Sequence, residues 1–511
     1  MAKSSDIRIL KITVIIYIRM AVTIVVGLIT SRLVLQALGA SDVGIYSVVG
    51  STVALVGILT TALGWTTGRF MNIELGKPDG NPNKMFNICN TIHLGAAAFI
   101  LLVLESVGIW YIHTKLNVPP GKEADAMFVF QVSTIVACLG IANTPFTSIF
   151  NVHEKFGTVA IIDIVNTLVK LGMVLILLLV KDSTYSLRLY AVMMSVTTWI
   201  SFVVYHALCK RRWPEIIRWK FVKCWADYKE VLSFGNYNLL ASSSIIARSQ
   251  GTNMLINAFF GTTVNAAYYY ANMLQNYVSQ FVGNFDAASG PQITQSVGAG
   301  QIDNAVRLAR RACRICLLLF LLLFFPLWSE LDFLVRLWLG SKMPPETIIM
   351  ARWTLLYAAC ATTSAGLAIL ISAFGRIKWY KIGLAILYML CLPVGYILFK
   401  NGFPAHTVIV CFVIADIINR TIEYTLLYFQ FHFDVWGFAR HAYFRPLLIS
   451  GIMIGYLFLY KNLVLEGFWQ HAAGFLITLA VTAAVIFFVG CKKEERSKMI
   501  CFVLDKIRKK A

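Results

Sequence analysis

The chain has 511 residues, 58% hydrophobic and only 14% charged, with a mean hydropathy of +0.71. That charged fraction is about half of what a soluble globular protein carries, and the apolar runs are continuous rather than alternating; both a soluble class and a membrane barrel are excluded. The formal net charge of +20 lies in short connections and in the tail, the pattern of a membrane protein on an anionic leaflet and not of a nucleic-acid binder.

Apolar stretches of about 20 residues recur from end to end, which predicts an all-α, polytopic membrane protein of about 14 transmembrane helices. The first run contains Arg19 and continues without a small-residue cleavage site, so it reads as a span and not as a cleavable signal peptide. The first six spans fall at roughly 12–37, 43–66, 86–112, 126–149, 158–180 and 189–208. The next six fall at roughly 236–260, 264–285, 312–329, 348–373, 382–399 and 407–428, and a final pair at roughly 446–464 and 470–490. With both termini in the cytoplasm, inner segments hold about four times as many Lys and Arg as outer loops, as the positive-inside rule requires. The outer loops are short, the longest running from His113 to Asp125.

The connection after the sixth span carries Lys210, Arg211, Arg212, Arg218, Lys220, Lys223 and Lys229 with Trp213, Trp219 and Trp225 interleaved, a composition suited to the headgroup region. An internal repeat spans it at an offset of about 222 residues. ALGASDVGIY at Ala37–Tyr46 matches FFGTTVNAAY at Phe259–Tyr268, pairing Gly39 with Gly261 and Tyr46 with Tyr268. Six spans separate the copies, so both enter the membrane in the same direction, a transporter plan with the binding site expected between two lobes. The expected organisation is a six-helix lobe at 1–208, a basic cytoplasmic linker at 209–234, a second six-helix lobe at 235–430, an extra helix pair at 431–490 and a basic cytoplasmic tail at 491–511.

Polar residues inside spans mark candidate sites, because a charge at that depth costs a few kcal/mol unless it faces protein or water. In the seventh span Arg248 and Gln250 lie near the middle, and Ser244, Thr252, Asn253 and Asn257 extend the same stripe. In the eighth, Asn265, Asn272, Gln275 and Asn276 recur at spacings of three and four. Arg19 lies deep in the first span. Asp163, Asn166 and Lys170 share one face of the fifth, and Asp416, Arg420 and Glu423 share one face of the twelfth. Asp163, Lys170, Asp416 and Arg420 therefore read as coupling groups or as structural ion pairs. Arg248, Arg19, Gln250, Asn253, Asn272, Gln275 and Asn276 make up the expected substrate-binding set, and the guanidinium groups favour phosphate oxygens.

No phosphate-cradling glycine loop, nucleophile elbow or HExxH occurs, so the chemistry is binding and not bond-breaking; neither an enzyme nor a cofactor is expected. The eight His show no metal-ligand spacing. The 11 Cys lie in spans or inner loops, and Cys313 and Cys316 read as small apolar residues opening a helix.

LGASDVGIYSVV at Leu38–Val49, FNVHEKFGTVAIIDIVNTLVKLG at Phe150–Gly172 and GTTVNAAYYYANML at Gly261–Leu274 resemble stretches of the polysaccharide transporters, or Wzx-type flippases, of the multidrug/oligosaccharidyl-lipid/polysaccharide (MOP) exporter superfamily. The resemblance covers nearly the whole chain. It implies translocation of an oligosaccharide linked to undecaprenyl diphosphate across a bacterial inner membrane, with membrane lipids and glycan polymerase machinery as partners. It also implies that Arg248, with Arg19 second, meets the diphosphate. The alternative is an ion-coupled exporter of small organic cations from the same superfamily.

Overall fold

A computed structural model describes residues 2–54, 56–76, 79–153, 155–180, 185–374, 378–431, 433–460, 467–491 and 496–497. Most of the basic tail therefore lies outside the described residues. The described chain is helical, with no strand. The order is α1 (Ala2–Ala54), α2 (Gly57–Gly76), α3 (Pro82–Val103), a π-helical turn at Leu104–Gly108, α4 (Ile109–Thr114), α5 (Glu123–Val152), α6 (Phe156–Leu179), α7 (Ser186–Arg212) and α8 (Pro214–Ile217). It continues with α9 (Trp225–Gly298), α10 (Ile302–Ser329), α11 (Leu331–Leu339), α12 (Thr347–Thr362), α13 (Leu367–Ala373), α14 (Lys378–Lys400), α15 (Thr407–Phe431), α16 (Val435–Tyr460) and α17 (Phe468–Val485). Nine helical segments among the described residues are long and apolar enough to cross a membrane. The helix α15 falls outside that set because it carries Asp416, Arg420 and Glu423 close together. Where it is described, each expected span falls on helix, apart from a turn at Val56, the end of the fifth at Val180 and a break at residues 363–366; residues 55 and 461–464 lie outside the described residues.

Two elements are too long to be single spans. At 1.5 Å per residue, α1 and α9 would extend about 80 and about 110 Å, against a hydrocarbon core of about 30 Å. Each is two helices joined across one non-helical glycine: Gly39 (φ 78°, ψ 170°) in α1 and Gly261 (φ 77°, ψ −173°) in α9. These are the two glycines that the sequence repeat pairs, and they share a backbone conformation essentially closed to residues with a Cβ. Beyond Gly261 the chain doubles back, because Asn265 Nδ2 donates to the carbonyl oxygen of Asn253 at 2.8 Å.

Contacts divide the chain into two compact units. The first comprises residues 1–269, 338–345 and 388–405. Here α1 packs on α6, and α5 lies against α2, α3 and α7. Its cores gather Ile45, Val49, Phe130 and Ile141 in one cluster and Phe86, Phe146, Phe150 and Tyr205 in another. The linker is pinned to this unit by two asparagines at the start of α3. Asn83 Nδ2 donates to the carbonyls of Glu215, Ile216 and Arg218 at 2.8–2.9 Å, and Asn87 accepts from Lys220 N at 3.0 Å.

The second unit comprises residues 270–337, 346–387 and 406–511. Its axis is α10, which carries α12, α13, α16 and α17 around it. Its core includes Ile293, Cys313, Leu370, Leu427 and Phe438. The trailing pair is fastened at one end by the buried Glu330, which is hydrogen-bonded to His471 Nδ1 at 2.7 Å and accepts from the Tyr460 hydroxyl.

The two hinge glycines generate a stability prediction. Gly39→Ala and Gly261→Ala should each destabilise the protein by about 1–3 kcal/mol, read as a lowered thermal unfolding midpoint in detergent. Gly50 is helical, and a Cβ there would meet nothing within 4 Å, so Gly50→Ala should leave the midpoint unchanged or slightly raised.

Candidate binding residues and cavities

The first leg of α9 presents Arg248 to α14. Arg248 is 8% exposed, and its guanidinium carbon lies 4.2 Å from the centroid of the Tyr388 ring. The helices can approach because the next residue toward α14 is Gly251, where a Cβ would fall 2.8 Å from a Leu392 methyl. Further along, Phe259 meets Tyr396 and Phe260 meets Phe399 edge-on, with centroids 5.4 and 4.8 Å apart. The half of α14 from Tyr388 to Phe399 thus lines the Arg248 face. A desolvated cation over an aromatic ring contributes about 2 kcal/mol, which compensates part of the cost of burying the guanidinium. Thr252 spends its hydroxyl on the Arg248 carbonyl at 2.7 Å, and the Ser244 side chain lies outside the described set. Gln250 is half-buried.

Nearer the Gly261 turn the polar stripe is consumed by the protein itself. Asn253 Nδ2 donates to Ser47 Oγ at 3.0 Å, and Asn253 Oδ1 accepts from Asn265. Asn257 and Asn117 exchange a reciprocal pair: Asn117 N donates to Asn257 Oδ1 and Asn257 Nδ2 donates to the Asn117 carbonyl, both at 3.0 Å. Ser41 and Thr262 lie 3.2 Å apart across the two glycine turns, and a Cβ on Gly44 would fall 1.8 Å from the Thr262 carbonyl oxygen. The amides here hold the two turns together. In the second unit, Asn272 and Gln275 are partly exposed and Asn276 is exposed; Gln275 donates to Ser279 one turn on at 2.8 Å.

The remaining intramembrane charges separate into a pair, a cavity group and a buried cluster. Arg19 Nη1 is 2.9 Å from Asp163 Oδ2, with both side chains partly exposed. Lys170, two turns beyond Asp163, opens into a cavity of about 420 Å³ lined also by Gly50, Thr60, Ser133, Ser195 and Thr198. Asn166, between them, donates to Ser201 at 2.7 Å. In the second unit Glu423 is fully buried and accepts from Arg420, from Asn419 at 3.1 Å and from Ser364 at 2.9 Å. Asp416 is also buried.

Ser364 sits in a feature that the hydropathy profile passes over. The expected span 348–373 is interrupted at residues 363–366, between α12 and α13. Non-helical backbone at such depth is tolerated only where protein or cavity water satisfies it. Here protein does so: the Thr363 carbonyl accepts from the Tyr443 hydroxyl at 2.8 Å and from Cys313 Sγ at 3.4 Å, and Gly366 N donates to Asp286 Oδ1 at 2.9 Å. Gly366 has φ 70°, and a Cβ would strike the Ala309 carbonyl at 2.6 Å. Arg420 and Tyr443 also border an apolar-walled cavity of about 400 Å³ beside α16. The sequence signal for the break was the run Thr362, Thr363, Ser364 ahead of Gly366, residues that bond their own backbone outside helices. No group of three or more His, Cys, Asp or Glu able to hold a metal occurs among the described residues.

No protein-family model matches the sequence, and no curated protein matches it. Solved structures do match. The lipid II flippase MurJ in an inward closed conformation superposes with a TM-score of 0.69 at 12% identity, over 94% of this chain and 99% of that one. An inward-facing multidrug resistance MATE transporter of the MOP superfamily superposes at 0.66 and 12% identity, over 82% of this chain and 96% of that one. The MATE multidrug transporter DinF-BH gives 0.59 at 16% identity, over 85% and 96%. The chain has the fold that these solved transporter structures share. Within that fold the flippase superposition takes in about a tenth more of the chain than these two MATE ones.

The buried Glu423 cluster makes a test of its own. Glu423→Ala removes the buried carboxylate that Arg420, Asn419 and Ser364 share and should cost about 3–5 kcal/mol. Glu423→Gln, which keeps an acceptor for Ser364 and Asn419, should cost less. Equal unfolding midpoints for the two variants would show that the charge does not matter there.

Proposed function

We propose that this protein is an alternating-access flippase, moving a polyprenyl-diphosphate-linked oligosaccharide across the bacterial inner membrane with both termini in the cytoplasm. The observation that carries this reading is the extent of the fold likeness. The lipid II flippase matches 94% of the chain, whereas the MATE exporters match 82–85%. The trailing pair α16–α17 is about as long as that difference, and it is fixed to α10 through Glu330. The side-chain chemistry agrees. Arg248 offers a guanidinium suited to a diphosphate, and Arg19, Gln250, Asn253, Asn272, Gln275 and Asn276 supply donors and acceptors for glycan hydroxyls. A ligand reaching Arg248 must displace or share the Tyr388 ring, so substrate entry is coupled to movement of α14 against α9. Asn253 must likewise exchange its bond to Ser47, which ties substrate contact to loosening of the glycine turns.

Asp163, Lys170, Asp416 and Arg420 supply the charge that could couple this motion to an ion. The pairs Arg19–Asp163 and Arg420–Glu423 can each break and re-form as the helices move. O-antigen, capsule and exopolysaccharide repeat units all belong to the substrate class, and a glycan polymerase is the natural consumer of the product.

The test is translocation in proteoliposomes of a fluorescent polyprenyl diphospho-oligosaccharide. Arg248→Ala should slow translocation about 10- to 100-fold, the value of a charge-assisted hydrogen bond to phosphate, at unchanged protein abundance. Arg248→Lys should recover part of it. Wild-type rates in the alanine variant would remove Arg248 from the site. Transport of a fluorescent organic cation with no movement of the lipid-linked glycan would overturn the flippase reading in favour of an exporter.

A further inference from the structure

A further cleft lies in the first unit between α2 and α5, sharing Thr60 with the Lys170 cavity. The helices α2 and α5 touch at Gly64, where a Cβ would sit 3.2 Å from the Thr144 methyl. One turn later they have parted: a Cβ on Gly68 would meet nothing within 4 Å. The space left is a cavity of about 680 Å³ lined by Arg69, Asn72, Thr147 and Asn151 with further Thr, Ser and Gly residues. That is the size range of small-molecule sites, about 300–1,000 Å³.

The lining is chemically selective. Among the described residues that line it, Arg69 is the charged group, and none is a carboxylate. An organic cation would find no carboxylate among these lining residues. Arg69, Asn72 and Asn151 are all exposed into the opening. They offer a forked donor and two amides, a set that matches phosphate oxygens beside a polyhydroxylated ring. The cavity runs along α2 from Thr60 to Asn72 and along the C-terminal part of α5 from Thr144 to Val152, the end of α5 that the charge bias assigns to the cytoplasm.

We infer that this cleft is a binding site for a phosphorylated sugar head group, with Arg69 on phosphate and Asn72 and Asn151 on sugar hydroxyls. The inference rests on the flippase reading above and adds to it a site in the first unit that does not use Arg248. It takes the head group while the substrate is still on the side where it is made.

The test is equilibrium binding of farnesyl diphospho-N-acetylglucosamine to the full-length protein in nanodiscs of zwitterionic lipid, with N-acetylglucosamine 1-phosphate and phosphatidylglycerol as competitors. Arg69→Ala should weaken binding about 10-fold or more, and Arg69→Lys should recover part of it. Gly68→Leu fills the cavity without changing charge and improves helix propensity; it should abolish binding with an unfolding midpoint at or above the wild-type value. N-acetylglucosamine 1-phosphate should compete. Wild-type affinity in Arg69→Ala, alongside lost binding in Arg248→Ala, would overturn this site and leave the flippase reading standing. Competition by phosphatidylglycerol but not by the sugar phosphate would overturn it in favour of a lipid-headgroup site. No binding of the probe by the wild type would overturn both.

Discussion

Within a bilayer, backbone that leaves the helix must have its N–H and C=O groups captured by protein or by cavity water. This constraint governs the break inside a span at residues 363–366, and a similar demand for partners shapes the connections between spans at Gly39 and Gly261. At Gly39 and Gly261 the break is a single residue with φ near 78°, and the flanking Ser41, Asn253, Asn265 and Thr262 knit the two turns together. At residues 363–366 the break is longer, and Tyr443, Cys313 and Asp286 come from three other helices to satisfy it. The breaks are therefore the points at which separate helices are obliged to meet. Polar side chains accumulate there because the backbone requires them.

That requirement divides the intramembrane polar residues into two kinds. Asn257, Asn265, Ser364 and Glu423 are engaged by the protein and stabilise a particular arrangement of helices. Lys170 and Arg69 border cavities, in both cases beside glycine and threonine on α2. Arg248 falls between these kinds, charged and buried under an aromatic ring, in a setting where a modest movement of α14 would uncover it. Under the proposed flippase reading, a covered cation is as useful as an open one, since covering it again helps expel the substrate.

The trailing helix pair adds a distinct element. Its attachment to α10 does not rest on apolar contact alone, because Glu330 accepts hydrogen bonds from both Tyr460 and His471 and the Phe333 ring stacks on His471 at 4.3 Å. Between helices as apolar as the surrounding lipid there is little hydrophobic drive for association. A buried carboxylate with two partners supplies direction and register where lipophilicity cannot.

Much of this was legible in the chain itself. Continuous apolar runs determined a helical membrane protein, since backbone in hydrocarbon has few ways to satisfy itself, and the repeat singled out Gly39 and Gly261 before their shared conformation was seen. The odd residues Arg248, Arg19, Asp163 and Glu423 stood out because charge in an apolar run is costly. Their partners did not stand out. Tyr388 reaches Arg248 from 140 residues away in the chain and Asp163 reaches Arg19 from 144, and no local period encodes a contact of that range. Arg69 carries no such signal, because the cavity beside it is formed by α2 and α5 together. Periodicity and composition act along one helix, so they determined the elements and their polar faces; which faces are spent on neighbours and which are left open depends on how helices distant in sequence meet, and only the tertiary structure decided that.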